Sequence, residues 1–216
     1  MVIVEQFYRY NFVAVNIGHR FIQIKIMRIN SLLLSILAVV MAFSALAAGL
    51  PQQSNVMSNN SKKNLVAYFS ATGTTMEAAS RLAQIAGADL FEIIPETPYT
   101  PADLNWQNKS SRSSIEMADK SSRPAVASRV ENMAQYDTVF VGFPIWWYIA
   151  PTIVNTFLEQ YDFTGKTVVP FFTSGGSGAG ETLKYLKPSA PGANWIAPKS
   201  LNYMGDAELK KWLESL

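Results

Sequence analysis

Cysteine is absent from the 216 residues, and histidine occurs once, at His19. Without a thiol there is no disulfide, no thiolate metal site and no cysteine nucleophile. The one imidazole lies outside the body of the chain, so Ser-His relays and His-ligated metals have no support. Charge is also scarce, at 16% of residues, and the overall value of +2 misleads. Four of the 18 basic residues (Arg9, Arg20, Lys25, Arg28) and one of the 16 acidic ones (Glu5) precede Ala48, which leaves 14 against 15, a net charge of −1. A body this close to neutral, without a basic stripe, gives no support to nucleic-acid binding. Apolar residues are plentiful at 49%, enough for a sizeable core in a domain of ~100–200 residues.

Residues 1–26 match no motif and read as an over-extended start or leader. Met27-Arg28-Ile29-Asn30 then leads into Ser31 to Leu46, sixteen residues without a charge, and Ala45-Leu46-Ala47 offers a small-x-small cleavage site. A basic start, an apolar centre and a small-residue end describe a signal peptide over residues 27–47, and predict export to the periplasm. Left uncleaved, Ser31 to Leu50 is about the ~20 residues needed to span a bilayer, so a membrane anchor is the alternative. Residues 48–63, rich in Gln, Ser and Asn, read as a flexible linker to a folded domain at 64–216.

Within that domain, apolar runs alternate with helix-forming runs. Leu65 to Phe69, Asp89 to Ile94, Thr138 to Phe143 and Thr167 to Phe172 read as strands, with a weaker fifth at Asn194 to Pro198. Helices are expected from Met76 to Ala86, Thr152 to Gln160, Glu181 to Leu186 and Asp206 to Leu216. The connection from Tyr99 to Tyr136 is expected to hold short helical pieces at Ile115 to Met117 and Val126 to Met133. Strand-helix alternation of this kind predicts an α/β parallel sheet covered on both faces. Ligands of such sheets bind beyond the carboxyl ends of the strands, where the strand order reverses.

Three strands end in unusual loops. The first, Ser70-Ala71-Thr72-Gly73-Thr74-Thr75, sets hydroxyls and a glycine at a helix N-terminus, where orphan amides and the helix dipole hold anions. Thr74 and Glu77 have the spacing of a capping box. No Lys or Arg is present, unlike a P-loop, so the loop suits a single terminal phosphate. The second, Pro144-Ile145-Trp146-Trp147-Tyr148, offers flat aromatic surfaces on which a planar ring can stack, though either Trp alone could equally plug the top of the core. The third, Ser174-Gly175-Gly176-Ser177-Gly178, can bring bare backbone amides to the polar edge of a ring.

These motifs together resemble the flavodoxin family. The first loop fits its [ST]-x-T-G-x-T phosphate pattern, and the second is similar to the flavin loop of a bacterial, often exported, flavodoxin-like subgroup. The resemblance runs from Asn64 to Leu216. It implies a flavodoxin-like three-layer sandwich with a five-stranded parallel sheet in the order 2-1-3-4-5 and non-covalent FMN. Ser70, Ala71, Thr72, Gly73, Thr74 and Thr75 would hold the phosphate. Pro144, Ile145, Trp146, Trp147 and Tyr148 would border the isoalloxazine. Ser174, Gly175, Gly176, Ser177 and Gly178 would meet its pyrimidine edge. Tyr99 and Trp106 stand outside these motifs.

The resemblance implies electron transfer through FMN, with the flavin supplying the chemistry and no residue of the chain acting as acid, base or nucleophile. An FMN-dependent NAD(P)H or quinone oxidoreductase is the alternative, and a binding module that has lost the cofactor is a third reading. The expected partner is a redox protein or a quinone-type small molecule, with a membrane involved only if the signal segment stays uncleaved. The body lacks the strong negative charge of typical flavodoxin carriers. Residues 144–151 also lack the Gly that lets a peptide flip toward the flavin, so two-electron traffic is at least as expected as one-electron traffic.

Overall fold

The computed structural model describes residues 63–216. The leader and signal-peptide readings, and all but the last residue of the linker, lie outside them. Six strands form one parallel sheet: β1 (Lys63–Tyr68), β2 (Asp89–Glu92), β3 (Tyr136–Pro144), β4 (Thr167–Thr173), β5 (Asn194–Trp195) and β6 (Lys199–Ser200). The order is β2-β1-β3-β4-β5, with β6 also on β4. This is the expected 2-1-3-4-5 arrangement with its last position shared by two short strands. The break has a local cause. Pro170 brings no N–H to the ladder, and it sits between Val168, which pairs with Trp195 in β5, and Phe171, which pairs with Lys199 in β6.

The helices are α1 (Thr74–Ala86), α2 (Arg112–Ala118), α3 (Ile153–Leu158), α4 (Thr182–Leu186) and α5 (Asp206–Glu214). Successive strand residues point to opposite faces, and the core divides accordingly. Leu65, Ala67, Phe69, Val139, Val141 and Phe143 pack with Ile153, Phe157 and Leu186 on one face. Val66, Tyr68, Phe140, Val169 and Phe171 pack with Ala79, Leu82 and Leu209 on the other. This makes a three-layer sandwich. Each fully buried Phe (Phe69, Phe143, Phe157, Phe163, Phe171) contributes about 1.5–3 kcal/mol relative to leaving it exposed. Between β3 and β4 the fit is close: a Cβ on Gly142 would lie 2.1 Å from the ring of Phe171.

Two expectations change. Val126 to Met133 is not helical apart from a 3-10 turn at Met133–Gln135. Val126 instead bridges Pro95 in antiparallel fashion, and Ser128 Oγ accepts from Ile94 N while donating to Glu92 O. Pro124 and the β-branched Val126 and Val130 favour this extended course. In the same connection, α2 begins earlier than expected because the Ser111 side chain caps it, accepting from Ser114 N. Among the described residues no helix is long and apolar enough to cross a membrane.

Candidate functional site

The carboxyl ends of β1, β3 and β4 bring the three loops together. The chain leaves β1 toward β2 on one side and later joins β3 on the other, so the loops stand at the reversal of strand order.

Gly73 forms the N-cap of α1 in a left-handed conformation, φ +92°, and no side chain caps the helix. The expected Thr74–Glu77 capping box does not form. Glu77 N donates to Gly73 O at 3.0 Å, and Gly73 N donates to Ser70 Oγ at 3.1 Å, which folds the turn on itself. The N–H groups of Ala71, Thr72, Thr74, Thr75 and Met76 find no protein acceptor among the described residues. Thr72 and Thr74 are exposed beside them. Leaving the cap open keeps these donors available to an anion, whose charge-assisted bonds are the strong kind. Thr75 differs: it is buried, and its Oγ1 lies 2.8 Å from Thr173 Oγ1 at the end of β4. Its hydroxyl therefore ties the first loop to the root of the third.

In the second loop, Ile145 N donates to Thr173 O at 2.9 Å. Trp146 and Ile149 exchange both backbone hydrogen bonds, at 2.9 and 3.1 Å. Trp147 and Tyr148 form the two-residue tip, with φ +46° and +66°. Positive φ at both central positions is the mark of a type I′ turn, which favours Asn-Gly. Here two aromatics occupy it, at about 1–2 kcal/mol of strain each. Such strain persists where the surroundings impose it, typically at ligand sites. Trp147 and Tyr148 are 41% and 72% exposed.

Trp146 is half-buried and takes another part. Its ring meets Phe69 edge-on at 5.6 Å and Tyr99 at 5.4 Å, and Phe69 and Tyr99 meet at 5.7 Å. Of the two indoles, Trp146 braces the loop from below and Trp147 is held at its tip. Tyr99 is itself fixed: its hydroxyl donates to Glu116, and Arg112 lies over its ring at 4.0 Å while donating to Glu116 Oε1 at 2.7 Å. Burial, and then the hydrogen bond to Glu116, push the phenol well above its ordinary pKa and keep it protonated.

The third loop is clamped from a different segment. Ser174 N donates to Asn202 Oδ1 at 3.0 Å, and Asn202 Nδ2 donates back to Ser174 O at 2.7 Å. Ser174 Oγ donates to Ser177 O at 2.6 Å and accepts from Gly176 N at 3.2 Å. Gly175, Gly176 and Gly178 are solvent-facing around this frame, with Ser177 partly covered. Gly180, φ +50°, packs directly on the second loop, since a Cβ there would lie 2.1 Å from Tyr148 O. Tyr203, beside Asn202, is fully exposed with φ +55°.

All sixteen expected site residues thus lie in three loops, the first and second of which are bonded to Thr173 at the root of the third, and none of the three carries a charged side chain. Thr173, Asn202, Gly180 and Tyr99 were missed as supports. Thr173 had a readable signal, a lone polar residue closing an apolar strand. The other three depend on contacts distant in sequence.

A doubly wound α/β sheet with an uncapped helix N-terminus and exposed aromatics at its switch point defines a protein of flavodoxin-like class. The chain belongs to the flavodoxin family, whose model matches residues 63–216. A solved candidate flavoprotein from Bacteroides eggerthii is 52% identical over 71% of this chain and 96% of its own, with a TM-score of 0.68. One from Bacteroides uniformis is 50% identical over 71% and 98%, also at 0.68. A Lactobacillus acidophilus flavoprotein solved in complex with FMN is 23% identical over 70% and 99%, at 0.54, a likeness of fold. No curated protein matches.

Proposed function

We propose that this chain is an electron-transfer flavoprotein that holds FMN non-covalently in the three loops. The observation that carries the reading is the open cradle: five backbone N–H groups without protein acceptors among the described residues and two exposed threonines, Thr72 and Thr74, with no cation in the loop. A dianionic phosphate monoester fits such a site through hydrogen bonds and the helix dipole. Ser70 and Gly73 shape the turn, and Thr75 fixes its distance from β4. Trp147 and Tyr148 would stack on a planar group, with Trp146 bracing them, and the N–H groups of Gly175, Ser177 and Gly178, which have no protein acceptor among the described residues, would meet its polar edge. FMN, when bound, supplies transfer of one or two electrons. The residues of the chain bind it, orient it and shield it from water.

The signal-like stretch at 27–47 supports work outside the cytoplasm, in the periplasm, with a redox protein or a quinone-type molecule as partner. The test is to purify the chain, record its visible spectrum and identify any released flavin by mass. A yellow protein releasing FMN is expected, and Thr72→Val is expected to weaken FMN binding by roughly tenfold, the worth of one charge-assisted hydrogen bond. A protein that is colourless after incubation with excess FMN and removal of the unbound flavin would sink the proposal.

A further inference from the structure

Beside the second loop lies a cleft of about 750 Å³ lined by Trp106, Gln107, Lys109, Met117 and Trp147, among others. That volume falls within the ~300–1,000 Å³ of small-molecule sites. Trp147 belongs at once to this cleft and to the strained tip of the second loop. Trp106, which also lines the cleft, is 70% exposed, leaving most of the ~150–250 Å² an indole can bury in contact with water.

The turn that carries Trp106 is well fixed. Asp103 Oδ2 accepts from Thr100 N at 2.8 Å, Asn105 Oδ1 accepts from Gln107 N at 3.2 Å, and Ser113 Oγ donates to Asp103 O at 2.6 Å, which ties the turn to α2. An exposed indole on a fixed turn is a ready surface for a ring. Lys109 makes no salt bridge among the described residues, and the Gln107 side chain has no protein partner there. An ammonium and an amide near two indoles complement a flat molecule with oxygen at its edge.

We propose that this cleft binds a planar conjugated molecule with an anionic or carbonyl oxygen edge, its ring against Trp106 and against the side of Trp147 that the flavin leaves open, and its oxygen toward Lys109. That this molecule is the redox partner of the flavin rests on the FMN reading; the cleft itself is formed by the chain alone.

The test titrates the oxidised, FMN-loaded chain and the flavin-free chain calorimetrically with a sulfonated naphthoquinone. Naphthalene sulfonate and cyclohexane sulfonate serve as comparison probes. Saturable binding is expected for both ring compounds and none for cyclohexane sulfonate. Stronger binding of the quinone marks the carbonyl edge as the one recognised, and equal binding marks the anionic edge. Trp106→Ala should weaken binding roughly tenfold while leaving FMN content unchanged, and Lys109→Met should remove its salt dependence. Ring binding that is absent, that cyclohexane sulfonate matches or that Trp106→Ala leaves untouched overturns the cleft. The visible spectrum of each sample reports separately on FMN. A colourless chain that binds the naphthoquinone through Trp106 supports the cleft and refutes the flavin reading.

Discussion

Removing one hydroxyl of the Thr75–Thr173 pair should cost more than removing both. The two oxygens are 2.8 Å apart and their residues are 1% and 4% exposed. Thr75→Val strands Thr173 Oγ1 without a partner, and a buried hydroxyl left unsatisfied costs about 1–3 kcal/mol. Thr173→Val does the same to Thr75. The double variant replaces both by apolar groups of similar shape, a change that can be nearly neutral. The expected coupling between the two sites therefore exceeds the loss in either single variant, about 1–3 kcal/mol. Urea denaturation of the flavin-free chain is the suitable assay, because bound ligand would add stability by mass action. In thermal melts of the same flavin-free chain, each single variant should unfold about 2–12 °C below the parent, given ~2–4 °C per kcal/mol for a protein of this size. The double variant should lie nearer the parent than either single one. Losses that simply add would mean that the hydroxyls do not depend on each other, and the reasoning would fail.

Gly180→Ala places a Cβ 2.1 Å from Tyr148 O at a residue with φ +50°. The Trp147–Tyr148 tip must then move, and FMN affinity is expected to fall by roughly tenfold or more, with about 1–2 kcal/mol of stability lost to the strained φ; flavin titration and thermal melting check this, and unchanged values would refute it. Hydrogen bonds from Arg123, and then from Ser189, hold the Glu159 carboxyl below its ordinary pKa. A depressed folded-state pKa gives stability that is present above the ordinary carboxylate value and lost as pH falls through the lowered one. Between about pH 5 and pH 3 the parent should therefore lose stability faster than Glu159→Gln, as read by denaturation at each pH; equal slopes would show that the pair contributes nothing.

The fold was legible in the sequence where strands are buried on both faces. Val66, Val139, Val141, Val168 and Phe171 are almost fully covered, and such positions impose continuous apolar runs. The fifth strand was hard to read because it exists only as two two-residue pieces on either side of Pro198. The three loops were legible because their composition departs from what packing would ask for. Their supports were not. Thr74 and Glu77 carry the capping-box pattern, yet Gly73 takes the cap in a left-handed conformation, so local pattern gave way to the demands of the turn. Nothing local tells Trp146 from Trp147. Their parts are set by Tyr99, which stands below one and not the other, and by the bonds that close the turn between Trp146 and Ile149.

The margins of the sheet have a consequence for how the molecule behaves among its own kind. On one side β2 offers four residues, with Asp89 and Glu92 at its ends and Pro95 three positions on. On the other, the interruption opposite Pro170 leaves only two-residue stubs. Neither rim presents a long, flat ladder onto which a neighbouring chain could zip. Among the described residues the sheet thus offers a neighbouring copy little template for edge-to-edge pairing, and the proline that interrupts the last position shortens that rim as well as shaping the fold.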